Sequence, residues 1–78
     1  MASEQTQTIE IVVNGKPRAV PEGLDVVGLL AFLEIDASRV AVELNREIVR
    51  KPEWSSARIA SGAIVEIVWF VGGGCGAR

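Results

Sequence analysis

The sequence predicts an α+β fold: one mixed sheet of five strands with a single helix packed across it. Three observations carry this. β-Forming stretches recur five times, and helical spacing of apolar residues appears only once, between residues 21 and 35. Turn-forming pairs (Asn14-Gly15, Asn45-Arg46 and Ser61-Gly62) punctuate the β-forming stretches. The last β stretch, Ala63 to Val71, is also the longest and most apolar, which suits the centre of a sheet.

The elements follow in order. Thr8 to Val13 alternates and is rich in β-branched residues, so it reads as a strand. Asn14-Gly15 then closes a hairpin onto a second strand beginning at Lys16. Pro17 has no N–H for a ladder, so that second strand belongs at a sheet edge. The period then changes. Val26, Leu29, Leu30 and Leu33 share one helical face, with Asp25 placed to cap the first turn. Gly28 lies in mid-helix, where it costs about 1 kcal/mol relative to Ala and has no local explanation. Val40 to Leu44 returns to period two, and a turn at Asn45-Arg46 leads into a short strand at Glu47 to Val49. A connector follows, with one helical turn expected after Pro52. A β-β-α-β-β-β order of this kind closes one core when the helix crosses a mixed sheet, and a strand order of 2-1-5-3-4 puts the apolar last strand centrally. That is the β-grasp, or ubiquitin-like, arrangement.

Bulk properties narrow the function. The 78 residues make one domain, expected over residues 8–71, between a disordered start at 1–7 and a glycine-rich, flexible tail at 72–78. The net charge of −2 argues against nucleic acid as a partner. One cysteine and no histidine leave no set of ligands for zinc or for an iron–sulfur cluster, and no histidine acid–base chemistry. A single cysteine also points to a reducing, cytoplasmic location. The polar start, "MASEQTQT", has no signal-peptide core, and no apolar run reaches the ~20 residues of a membrane span.

Glu66 sets the faces of the last strand. A carboxylate is rarely buried unpaired, so Glu66 points away from the helix together with Ile64, Val68 and Phe70. Val65, Ile67 and Trp69 then point inward, joining Ile9, Ile11, Val13, Val40, Val42, Leu44 and the helix leucines. Val68 and Phe70 are left on the uncovered face, where an apolar patch suggests a docking partner. The competing expectation is that a connector residue such as Trp54 folds over that face.

The chain closes with "VWFVGGGCGAR". A triple glycine holds no shape but threads easily: three extended residues reach about 10 Å into a narrow cleft. Chemistry delivered by such a thread must use the backbone, and hence a terminal carboxylate. On composition alone a chain end without function is the simpler reading.

The stretch from Ala41 to Gly74 contains "LNREIV", "PEW" and "VEIVWFVGGG". It resembles the second half of the ThiS sulfur carriers, small β-grasp proteins of thiamine biosynthesis. The earlier "VNGKP" and "GLDVVGLL" are compatible, so the resemblance covers Ile9 to Gly74. It implies a protein substrate and not an enzyme. A ThiF-type adenylyltransferase would activate a glycine carboxylate with ATP and Mg, neither of them bound by this chain. A persulfide donor, such as a cysteine desulfurase, would convert the adenylate to a thiocarboxylate. A ThiG-type thiazole synthase would receive the sulfur.

Carried over by position, Gly73 and Gly74 form the functional diglycine. Gly74 bears the reactive carboxylate, Gly72 is a spacer, and Val68, Phe70, Val71 and Gly72 belong to the docking surface. Cys75 to Arg78 depart from the family pattern and imply a precursor cut between Gly74 and Cys75 by a peptidase. Cys75 reads either as a sulfur-carrying thiol or as part of a discarded tail. Arg78 is the only nearby cation to activate it, which favours the latter. Three other readings stand beside the thiamine one. The chain could carry sulfur for molybdopterin, cysteine or a secondary metabolite. It could be a non-catalytic interaction module, or a modifier joined to lysines through Gly74.

Overall fold

A computed structural model describes residues 7–70. Of the expected start at 1–7, residues 1–6 lie outside the described residues, as do Val71 and the tail at 72–78. Five strands form one sheet in the order β2-β1-β5-β3-β4. They are β1 (Thr8–Val13), β2 (Lys16–Pro21), β3 (Val40–Leu44), β4 (Glu47–Val49) and β5 (Ile64–Trp69). Among the described residues one helix, α1 (Val26–Phe32), crosses the sheet, and two short 3₁₀ turns lie at Ala37–Arg39 and Lys51–Ser56. The fold class and strand order are those expected from the sequence.

Local chemistry explains the turns. Asn14 and Gly15 both have positive φ (52° and 82°), the twist that a two-residue hairpin requires. Asn45 and Arg46 repeat this geometry at 53° and 73° without a glycine. There the Asn45 side chain accepts from the Ile64 N–H at 3.0 Å, which fixes the β3–β4 turn against β5. Asp25 caps α1 by accepting from the Gly28 N–H at 2.7 Å. Gly28 now has a reason. A Cβ there would stand 3.1 Å from the Leu24 Cδ2 and 3.4 Å from the capping Asp25 Oδ1.

β1 pairs antiparallel with β2 and parallel with β5, and β5 pairs antiparallel with β3. The core lies between α1 and one face of this sheet. It contains Ile11, Val13, Val20, Val26, Leu29, Leu30, Val40, Val42, Val65 and Ile67, with Ile9, Leu33 and Leu44 packed at its margin.

Two expectations fail, each for a visible reason. Trp69 is not in the core: it is 49% exposed although it shares a face with Val65 and Ile67. Pairing with β1 stops at Val13↔Val65, so Trp69 has no strand beside it on that flank, and the open space it faces is lined in part by Leu33 and Ile35, beyond the end of α1. Trp54 does not cover the open face. It is buried in the core, and its Nε1–H donates to the Val49 carbonyl at 2.8 Å. The Lys51 ammonium lies 5.6 Å from its ring centroid. The 3₁₀ turn Lys51–Ser56, with Pro52 in its first turn, packs Trp54 against α1 instead of around the sheet edge.

Candidate functional site

The expected site divides at the end of β5. Val68 and Phe70 are described; Val71, Gly72, Gly73, Gly74 and Cys75 lie outside the described residues. What the structure contributes is the platform from which those residues start.

β5 is gripped on both flanks up to Ile67. On the β3 side the antiparallel ladder runs from Leu44↔Val65 to Val40↔Trp69. The Phe70 N–H then donates to the Arg39 carbonyl at 2.9 Å, one residue beyond the strand. On the β1 side the backbone pairing ends at Val13↔Val65. The Asn14 side chain extends it. Its Oδ1 accepts from the Ile67 N–H at 2.7 Å, and its Nδ2 donates to the Ile67 carbonyl at 3.3 Å. One amide side chain thus stands in for a further peptide of β1.

Sequence reasoning missed this role. Asn14 is legible as a turn residue; its place opposite Ile67 depends on the strand order.

Arg39 is itself anchored by its turn. Asp36 caps that turn through the Ser38 N–H and hydroxyl, at 3.0 and 2.7 Å. Its carboxylate lies 3.4 Å from the Arg39 guanidinium. The Ser38 hydroxyl, then the Ser38 N–H and Arg39, hold the Asp36 carboxyl below its ordinary pKa.

On the open face, Val68 and Phe70 are 55% and 59% exposed. Cross-strand register sets Ala41 beside Val68 and Glu43 beside Glu66. Glu66 is exposed as expected, while Ile64 in the same row is half-buried. Ile48 on β4 faces the same way and is also exposed. No helix crosses this side in the described residues, so the patch at the root of the tail is open. No helix among the described residues is long and apolar enough to cross a membrane.

A single helix on a 2-1-5-3-4 sheet defines a ubiquitin-like fold of the β-grasp class. The model of the ThiS family matches residues 7–74, and the chain belongs to that family. The crystal structure of the thiamine biosynthesis protein ThiS from Geobacter metallireducens superposes with a TM-score of 0.76 at 38% identity, covering 85% of this chain and 100% of that one. The sulfur carrier protein ThiS of Bacillus subtilis is 39% identical over 46 residues, 59% of this chain and 70% of its own length. A thiazole synthase of Paramagnetospirillum magneticum is 39% identical over 66 residues. That match takes in 85% of this chain but only 20% of the synthase, so the chain spans about a fifth of that relative's length.

Proposed function

We propose that this chain is a sulfur carrier of thiamine (thiazole) biosynthesis that acts as a protein substrate through Gly74. The observation that carries this reading is the extent of the family match, which runs to Gly74 and leaves Cys75 to Arg78 outside it. A peptidase first removes those four residues and frees the Gly74 carboxylate. A ThiF-type adenylyltransferase then joins it to AMP, using ATP and Mg held by that enzyme. The terminal sulfur of a persulfide donor attacks the acyl adenylate and AMP leaves. A thiol cleaves the resulting S–S bond, yielding the thiocarboxylate and a disulfide. The thiocarboxylate sulfur, anionic at neutral pH, is the nucleophile delivered to a ThiG-type thiazole synthase.

Gly72, Gly73 and Gly74 suit this route because a chain without side chains enters a narrow active site. Val68 and Phe70, with Val71 beyond them, are the docking surface beside it. That a thiazole synthase contains a segment like this chain supports thiazole synthase as the acceptor. The work belongs in the cytoplasm, where thiols and ATP are available.

Intact-mass spectrometry tests the reading. Full-length chain incubated with adenylyltransferase, Mg-ATP and a persulfide donor should stay unmodified. Chain trimmed to Gly74 should exchange one oxygen for sulfur. A trimmed chain that never gains sulfur refutes carriage, and a full-length chain that gains it while keeping Arg78 refutes processing.

A further inference from the structure

On the helix side of the sheet, the end of β5 borders a groove of about 480 Å³. Leu33, Ile35 and Trp69 form its apolar part, and Lys16 and Arg18 its cationic part. It lies on the opposite face from Val68 and Phe70.

Three features of the groove point to one kind of occupant. The first is an interrupted ladder. Along β5, backbone groups bond alternately to β3 and to the β1 side. Phe70 bonds toward β3, and Ile67 bonds toward Asn14. The Trp69 N–H and carbonyl therefore face the β1 side, where β1 has already turned away, and among the described residues nothing bonds to them. The outer edges of the sheet are blunted by contrast: β2 carries Pro17 and Pro21, and β4 has only three residues. The notch beside Trp69 has no such protection.

The second feature is the apolar floor. Leu33 and Ile35 are half-buried, and Trp69 keeps 49% of its surface in water. The third is charge. Register with Val13 and Ile11 puts Lys16 and Arg18 on the core-facing side of β2. Both are exposed, and neither has an ion-pair partner among the described residues. They form a cationic spot in a chain whose net charge is −2.

We propose that this groove docks a short extended segment of a partner protein bearing carboxylate side chains. The segment's backbone pairs with Trp69, continuing the line of β1. An apolar side chain rests on Trp69, Leu33 and Ile35. A carboxylate meets Lys16 and Arg18, which sets the segment's direction. The proposal is independent of the carrier reading, because it uses the other face of the sheet and no tail chemistry.

The test titrates isotope-labelled full-length chain with the capped peptide Val-Ser-Glu-Ser-Val, whose valines and glutamate share one face of an extended chain, followed by amide chemical shifts. Saturable shifts are expected at Lys16, Arg18, Leu33, Ile35 and Trp69, together with a change in tryptophan fluorescence. The double variant Lys16→Glu/Arg18→Glu should bind at least ten-fold more weakly while keeping the native spectrum elsewhere. A peptide with lysine in place of glutamate should give no saturable shifts.

Four outcomes overturn the proposal. One is the absence of saturation, and another is equal binding by the lysine peptide. The third is a set of shifts centred on Val68 and Phe70. The fourth is self-occupancy of the groove, by a second copy or by the chain's own tail. A second copy would reveal itself as concentration-dependent shifts of the free chain. The tail would reveal itself as tighter peptide binding, with shifts of the free chain at Lys16, Leu33 and Ile35, when residues 72–78 are deleted.

Discussion

Replacing Asn14 tests how β5 is held at the root of the tail. The side chain makes two hydrogen bonds to Ile67, at 2.7 and 3.3 Å. Ile67 is 4% exposed, so its N–H and carbonyl have little water to turn to. Each bond contributes about 1 kcal/mol net, so losing both costs about 2 kcal/mol. Asn14 also sits at φ 52°, where Ala is strained by about 1 kcal/mol and Gly is not. Asn14→Gly should therefore lose about 2 kcal/mol and Asn14→Ala about 3 kcal/mol. In a domain this small, 2 kcal/mol lowers Tm by about 10 °C. The assay is urea unfolding, with hydrogen exchange at the Ile67 amide as a local probe. That amide should exchange faster in both variants. An Asn14→Gly variant within about 0.5 kcal/mol of wild type, with Ile67 still protected, would refute the clamp.

Phe70→Ala and Val68→Ala should leave stability within about 0.5 kcal/mol, because both side chains already stand in water. Each should nonetheless raise the KM of the trimmed chain for the adenylyltransferase about ten-fold, as a large apolar side chain buried on docking contributes about 1.5–3 kcal/mol. An unchanged KM would move the docking surface elsewhere. Gly28→Ala should not deliver the ~1 kcal/mol that helix propensity alone offers, because the new Cβ crowds Leu24 and the capping carboxylate. A gain of the full amount in urea melts would show that the crowding is absorbed. Asp36 has a depressed pKa, so its ionised form supports the turn above the ordinary carboxylate range, and that support disappears as pH falls through the folded-state value. The stability gap between wild type and Asp36→Asn should therefore be constant near neutrality and close below about pH 4. A gap that persists into strong acid would assign the effect to packing.

The division between what is legible in the sequence and what is not follows the range of the interactions. Turn residues act locally, so Asn14-Gly15, Asn45-Arg46 and Ser61-Gly62 can be placed from the sequence alone. The helix start can be placed too, since Asp25 and Gly28 are three residues apart. The inward residues of β1, β3 and the first part of β5 follow from period two and one carboxylate. Trp69 and Trp54 do not follow. Alternation gives the side of a sheet on which a residue lies, but burial also needs something opposite it. How far α1 extends over β5, and where the 3₁₀ turn at Lys51–Ser56 carries its aromatic ring, are questions of packing between distant segments.

The sequence by itself determined the order of elements, the turn chemistry, the outward face of Val68 and Phe70, and the family to which the glycine end belongs. Only the tertiary structure decided what stands beside the last strand. Asn14 and Ile67 are 53 residues apart, and no local pattern encodes their pairing. The notch at Trp69 exists because β1 pairing ends at Val65, and the Asn14 side chain extends it only to Ile67, while β5 runs on to Trp69. Such mismatches in length between neighbouring strands arise when the sheet is assembled, since register is set by pairing and not by either strand alone.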